Sequence, residues 1–335
     1  MIKSKLNSID FKKLGGIAEG CRRVLIKLPD GLYYLATEIS DFLSSTGTEA
    51  IISANTCYGA CDFCDDIDGM NIDKIIYIGE AEMPHLMKKY PVQTSFLEVH
   101  SKFDVADTVK KAVPLLDGNK IGIVSITPYI RQIGTCIKIL EKEGFMPLVG
   151  RRSRRTAYDG QILGCDLTAG TSISGQVDSF LYAGDGYFHP LGLSIATKKP
   201  VITADPSRGK ASKKEIEEMK KKIMNQRYAL ISKAMDKKNV GILIGEKLGQ
   251  KRIKLANILK KLAERKGLKS YLISSNNFSP YRLDYMDLDF YVSTSCPRIA
   301  MDDSISYKKP ILTPIEFEIL IGDRKWSDYE FDQIL

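Results

Sequence analysis

The 335-residue chain predicts an α/β fold of three similar small domains built on parallel sheets. Three observations carry that prediction. One strand–turn–helix–strand unit recurs three times, and its strands are apolar throughout instead of alternating. The units also begin about 100 residues apart, too far for a solenoid and suited to separate α/β domains.

The first unit, RRVLIKLPDGLYYLATEISDFLSSTGTEAIISAN (22–55), reads as an apolar strand, a turn, an amphipathic helix and a second strand. Gly47 stops the helix just before that strand. KIGIVSITPYIRQIGTCIKILEKEGFMPLVG (120–150) repeats the pattern with Gly144, and NVGILIGEKLGQKRIKLANILKKLAERKGLKSYLIS (239–274) repeats it with Gly267. Each unit is followed by a third apolar strand: DKIIYIG from Asp73, DSFLYAG from Asp178 and DLDFYVS from Asp287. Continuously apolar strands belong to parallel sheets covered on both faces. KKEIEEMKKKIMNQRYALISKAMDKK (213–238) reads as one long connecting helix, with i,i+4 charge pairs and an apolar stripe of Ile216, Met219, Ile223, Tyr228 and Ile231. The expected domains are therefore 1–105, 106–205 and 206–335.

With 44% hydrophobic and 27% charged residues the chain is globular, which excludes a disordered or fibrous class. It has no uncharged apolar run of the ~18 residues that span a bilayer. Its first residues, MIKSKLNSIDFKK, lack the apolar core of a signal peptide, so a cytoplasmic protein without membrane contact is expected. Seven cysteines, an odd number with no export signal, favour metal or redox chemistry over a disulfide framework. Cys21 and Cys136 sit in or beside mixed helical segments, as inert thiols do. The net charge of +8 is concentrated in RRSRR (151–155) and in 210–269. Such blocks usually form solvated faces. They also suit an acidic protein or RNA, but no RNA-binding signature with interleaved aromatics accompanies them.

CYGACDFCDD (57–66) places Cys57, Cys61 and Cys64 in the C-x3-C-x2-C spacing by which radical S-adenosylmethionine (SAM) enzymes hold three irons of a [4Fe–4S] cluster. In those enzymes the loop follows the first strand of a (β/α) barrel. Here it follows two strands and a helix. Zinc is a second reading, although no second paired ligand motif follows. A third reading takes one cysteine from each repeat. Cys61, Cys165 in QILGCDLTAG and Cys296 in STSCPRIAMDD all lie beside glycine or proline in loops near strand ends, where α/β proteins collect functional groups. Three thiolates holding three irons would leave the fourth open to a ligand. Pattern alone leaves these readings open.

Several longer stretches resemble one family. YGACDFCDD (58–66), GQILGCDLTAG (160–170), AGDGYFHPLGLSIATKKPVITADP (183–206), NQRYALISKA (225–234), VGILIGEKLGQKR (240–252), TSCPRIAMDD (294–303) and KPILTPIEFE (309–318) look like the archaeal 3-amino-3-carboxypropyl transferases of diphthamide biosynthesis. That resemblance runs over essentially the whole chain. It implies three α/β domains around a central iron–sulfur site, with Cys61, Cys165 and Cys296 as the cluster ligands and Cys57 and Cys64 as neighbours or a reserve. It implies SAM as co-substrate, cleaved to methylthioadenosine and a 3-amino-3-carboxypropyl radical. The radical adds to C2 of a histidine imidazole in translation elongation factor 2. A homodimer and an electron donor of unknown identity are implied as partners.

Within that frame, Arg298 is a candidate donor to the SAM carboxylate, or else an ion-pair partner of Asp302 or Asp303. His189 is a candidate contact of adenosine or substrate, or else a structural histidine. Gly164, Gly184 and Gly186 are candidates for close backbone approach to the ligand, and Asp205 for a ribose hydroxyl or a helix cap. His85 and His100 have no motif context. One segment departs from the family: YIGEAEMP (77–84) stands where many members have a histidine-containing stretch, with Glu80 replacing a polar site residue. Quinolinate synthase and hydroxymethylbutenyl diphosphate reductase share the three-repeat, one-cysteine-each architecture, and a non-catalytic cluster-bearing subunit is a further class. The FHPLGL and CPRIA stretches speak against the two enzymes, and the retained cysteines against the third.

Overall fold

The structure, a computed structural model, describes residues 9–63 and 67–335, so Cys64 lies outside the described residues. Three sheets follow one another along the chain. The first contains β1 (Arg23–Lys27), β2 (Glu49–Ile52), β3 (Lys74–Ile78) and β4 (Gln93–Leu97) in the order β2-β1-β3-β4, with every pair parallel. The second contains β5 (Lys120–Ser125), β6 (Met146–Val149), β7 (Ser179–Ala183), β8 (Val201–Asp205) and β9 (Lys210–Ser212) in the order β6-β5-β7-β8-β9. There β5 runs parallel to β6 and β7, and β9 is an added antiparallel edge. The third contains β10 (Asn239–Gly245), β11 (Lys269–Ser275), β12 (Phe290–Ser293) and β13 (Ile311–Leu312), all parallel, in the order β11-β10-β12-β13.

The repeat seen in the sequence is a repeat of packing. The helices Ala36–Ser45, Ile133–Lys142 and Ile253–Arg265 each bury three residues at the same spacing: Ala36, Ile39 and Leu43; Ile133, Cys136 and Leu140; Ala256, Leu259 and Ala263. Residues three and then four apart share one helix face, which here lies against the sheet. Gly47, Gly144 and Gly267 end these helices at φ of +87°, +85° and +79°, a conformation that a side chain would strain.

A carboxylate before each third strand repeats as well. Asp73 Oδ2 accepts the N–H groups of Arg22 (2.7 Å) and Arg23 (2.9 Å). Asp178 Oδ2 accepts those of Asn119 and Lys120, both at 2.9 Å. Asp289 Oδ2 accepts those of Lys238 (3.0 Å) and Asn239 (2.8 Å). The same aspartates donate their own N–H to the carbonyls of Arg23, Lys120 and Asn239. Each sheet thereby has its first and third strands locked at their starting ends.

By packing, the chain divides into two compact units: Met1–Ile162 with Thr168–Gly186 and Ile202–Ser212, and Leu163–Leu167 with Tyr187–Val201 and Lys213–Leu335. The helix Phe188–Thr197 and the Cys165 loop thus belong with the third sheet's unit. One reason is polar: Tyr187 Oη donates to Glu215 (3.1 Å) and Lys220 Nζ to the Ser194 carbonyl (2.7 Å), both on the long helix Lys214–Ala234.

That helix corrects one expectation. Tyr228 is 56% exposed and packs edge-on against Trp326, whereas its neighbour Arg227 is wholly buried. Arg227 Nε donates to Glu316 Oε1 at 2.7 Å, Nη2 bonds Glu316 Oε2 and the Ile311 carbonyl, and Nη1 bonds the Ala300 carbonyl. Tyr329 Oη donates to Glu316 Oε1 at 2.8 Å, so the pair is hydrogen-bonded on both sides. The block 151–155 is likewise no uniform solvated face, since Arg155 is 3% exposed.

Removing one member of a buried ion pair strands the other. Arg227→Met is therefore expected to cost about 3–5 kcal/mol in denaturant unfolding. A loss below about 1 kcal/mol would show that the pair is dispensable.

Candidate functional site

The Cys61 loop lies at the carboxyl edge of the first sheet. Lys27 ends β1 and is buried, with Nζ 3.4 Å from Ser53 Oγ and 5.7 Å from the centre of the Phe63 ring. Two tyrosines hold the residues flanking Cys61: Tyr90 Oη donates to the Ala60 carbonyl (2.6 Å) and Tyr77 Oη to that of Asp62 (3.3 Å). Both belong to an aromatic cluster with Phe63 and Phe96, in which Tyr77 and Phe96 stack at 5.2 Å. The Ala60 N–H donates to Glu80, whose carboxyl burial pushes up to about 8. Glu80 therefore lies directly under the Cys61 loop, and Gly59 faces its carboxylate. Burial and then Glu80 push the Cys57 thiol upward, which opposes thiolate formation there.

In the second unit the Cys165 turn, the helix Phe188–Thr197 and the segment after Cys296 meet. Reciprocal backbone bonds between Leu163 and Asp166, at 2.8 and 3.2 Å, close a tight turn with Gly164 and Cys165 at its tip. A side chain at Gly164 would come within 2.5 Å of the Phe188 ring, so packing requires glycine there. Arg298 also lies over that ring, its guanidinium 5.5 Å from the ring centre, and pairs with Asp302 through Nε at 3.2 Å. His189, next to Phe188, is pushed down to about 4 by burial and then by Arg298. It is neutral at ordinary pH. Cys296 caps the short helix Pro297–Met301, three residues after β12, and Thr294 before it donates N–H to the Leu243 carbonyl at 3.0 Å.

The other sequence candidates sit in the first unit. Asp205 Oδ1 accepts from Ser207 N–H (2.9 Å), Ser207 Oγ (2.7 Å) and Arg208 N–H (3.2 Å), which makes it a turn cap. Gly184 is hemmed in by the Tyr182 hydroxyl, 3.0 Å from where a Cβ would stand, whereas Gly186 opens onto free space with φ +75°. Cys136 fills the middle slot of a helix face, and burial lifts its thiol to about 12. His85 is pushed down to about 4 by burial and by Arg155, with Nε2 3.5 Å from an Arg155 nitrogen, while His100 lies 3.0 Å from Glu98. Glu80, Tyr77, Tyr90 and Phe188 were missed as loop-holding residues. Only Glu80 carried a signal, as the departure in YIGEAEMP.

Among the described residues, no three His, Cys, Asp or Glu side chains converge on a point that would hold a single metal ion. A four-iron cluster makes a different demand, because each thiolate binds its own iron. Cys61, Cys165 and Cys296 are buried, 9%, 7% and 8% exposed, each in a loop that is held at neighbouring backbone atoms. That donor set fits such a cluster in kind. The equivalence of the three is not strict, however. Cys61 and Cys165 follow the second strand of their sheets, and Cys296 follows the third.

The fold and these loops define a three-sheet α/β protein with a buried, loop-borne thiol in each sheet's segment, the first segment holding Cys57 beside Cys61. Residues 28–331 match the diphthamide synthesis protein family, and the chain belongs to that family. It is 35% identical over 321 residues to the 2-(3-amino-3-carboxypropyl)histidine synthase of Pyrococcus horikoshii, covering 94% of this chain and 90% of that one. The synthase of the same name from Methanocaldococcus jannaschii is 31% identical over 85% of this chain and 78% of its own. Subunit 1 of the Kluyveromyces lactis synthase is 26% identical, over 92% and 73%. The crystal structure of Dph2 from P. horikoshii with a 4Fe-4S cluster superposes with a TM-score of 0.89 at 32% identity, over 98% of this chain and 95% of that one.

Two outcomes test this geometry. In Gly164→Ala the new methyl meets Phe188, so stability should fall by about 1–3 kcal/mol and Phe188→Leu should restore most of it. A neutral effect of the single change would contradict the packing. His85 and His189 titrate near 4 when folded against an ordinary 6.5, so the unfolded chain binds more protons between those values. Their contribution to stability is complete above pH 6.5 and declines as pH falls toward 4. NMR of the apo-protein should show the His85 and His189 imidazoles still neutral at pH 5.5, a value between those two limits.

Proposed function

We infer that this chain is a 2-(3-amino-3-carboxypropyl)histidine synthase. It transfers the 3-amino-3-carboxypropyl group of SAM to C2 of a histidine imidazole in translation elongation factor 2, the first step of diphthamide synthesis. The reading rests on the likeness, over 98% of the chain, to a protein whose crystal structure holds a 4Fe-4S cluster, together with the three loop-borne thiols described above. The net reaction exchanges a C–S bond of SAM for a C–C bond at the imidazole, releasing methylthioadenosine and the ring proton. When bound, the cluster would supply the electron that breaks the C–S bond and recover it as the ring proton leaves.

The chain's own residues bind, orient and exclude water. Cys61, Cys165 and Cys296 would hold the cluster by three irons. Arg298, half-exposed and stacked on Phe188, offers its guanidinium to the SAM carboxylate while keeping Asp302 as its ion-pair partner. His189, held neutral, offers a ring nitrogen to adenosine or to the substrate. Gly186 allows close backbone approach of SAM, whereas the space beside Gly184 is filled by Tyr182 and Ile126. Asp205 uses one oxygen in its turn and has the other for a ribose hydroxyl. Gly164 acts by admitting Phe188 to the Cys165 turn. The reading carries with it a cytoplasmic homodimer and an electron donor whose identity remains to be found. No helix is long and apolar enough to cross a membrane among the described residues.

Anaerobic protein should contain iron and sulfide, give the EPR signal of a reduced [4Fe–4S] cluster, and form methylthioadenosine from SAM with elongation factor 2. Alanine at Cys61, Cys165 or Cys296 should abolish the signal, and alanine at Cys57 or Cys64 should leave it. Loss confined to Cys57, Cys61 and Cys64 would overturn the assignment in favour of a single-loop cluster.

A further inference from the structure

The last residues of the chain join two cysteine loops that stand 131 positions apart in sequence (296 − 165). Ile334 donates its N–H to the carbonyl of Cys165 itself at 2.7 Å. Gln333 Oε1 accepts the N–H of Leu167 at 2.9 Å. Just before them, Asp332 is buried and receives both arms of Arg252, Nη1 at 2.8 Å and Nη2 at 2.6 Å. The same guanidinium bonds the loop that leads into Cys296. Its Nε donates to the Thr294 carbonyl at 2.7 Å and its Nη2 to the Ser295 carbonyl at 3.2 Å. Nη1 also reaches the Gln333 carbonyl at 3.3 Å, closing the connection from one loop to the other.

We propose that Arg252 and the C-terminal segment form a clamp that fixes the Cys165 and Cys296 backbones relative to each other and so presets two of the three cluster thiols. This rests on the reading of both as cluster ligands. Arg252, Asp332 and Gln333 are then positioning residues. Apolar docking of the tail is accounted for separately by Phe331, which is buried against Phe188 with ring centres 6.1 Å apart. Packing of that kind needs no hydrogen bond to Cys165, Leu167, Thr294 or Ser295. A planar guanidinium can serve two loops and a carboxylate at once because its five N–H groups diverge in one plane. Loops ordered before the cluster arrives lose less conformational entropy when it binds, and outer partners of metal ligands typically govern affinity for that reason.

The test uses full-length anaerobic holo-protein carrying Arg252→Lys, Asp332→Asn or Gln333→Ala, with iron release to a ferrous chelator and melting of the matched apo-protein measured in parallel. Each variant should release iron about tenfold faster or more, the scale of outer-partner losses at metal sites, beyond what any fall in its apo melting temperature accounts for. The Arg252→Lys, Asp332→Asn double variant should be no faster than the worse single, because both remove one connection. Release within about twofold of wild type, or acceleration that only tracks a fall in apo melting temperature, overturns the clamp. Cys165→Ala and Cys296→Ala, run alongside, separate the two failures: full iron content in either would mean that the ligand assignment itself is wrong.

Discussion

At the amino edge of each sheet a single carboxylate oxygen accepts two backbone N–H groups from the start of the first strand, and the aspartate that carries it begins the third. Those strands are neighbours in space but not in sequence. A parallel pair cannot be set by a tight turn, so its register must be fixed by something that spans the crossover. Asp73, Asp178 and Asp289 do that in the three sheets. With one edge locked, the strands finish together at the other. The long polar loops then gather at the carboxyl edge, where parallel α/β sheets place their chemistry.

The thiol loops face an opposite requirement. They must present sulfur without the regular hydrogen bonds of a strand or helix, and a buried backbone group left unpaired is costly. The answer in each case is a group that reaches in from another element, a long side chain for Cys61 and Cys296 and a backbone N–H for Cys165. Tyr77 and Tyr90 bond the carbonyls on either side of Cys61. Arg252 bonds the two carbonyls before Cys296, and Arg227 bonds that of Ala300 in the helix after it. Cys165 is bonded by the backbone of the C-terminal segment. The buried Arg227–Glu316 pair belongs to the same strategy: its charges are costly to bury, and they are tolerated because every arm of the fork has an acceptor.

Glu80 brings a carboxyl that burial keeps largely protonated to the underside of the Cys61 loop, where it accepts the Ala60 N–H.

The sequence by itself determined the first three strands of each sheet and the helix between the first two, but not the outer strands β4, β8, β9 and β13. Apolar runs, helix-spaced faces and stopping glycines are local, and each repeats three times, so period and punctuation were enough to place three sheets and to set Cys136 aside as a core residue. The quoted motifs also marked the loops of Cys61, Cys165 and Cys296. What only the tertiary structure decided is which residues hold those loops. Arg227 sits unremarked in a charge-rich helix beside the more conspicuous Tyr228, and Arg252 lies 80 positions from Asp332 (332 − 252). Asp289, rather than the Asp287 that opens its apolar run, proved to be the third register lock. A hydrogen bond between residues that far apart leaves no period and no composition bias in the chain. It exists only once the sheets have brought the partners within 3 Å.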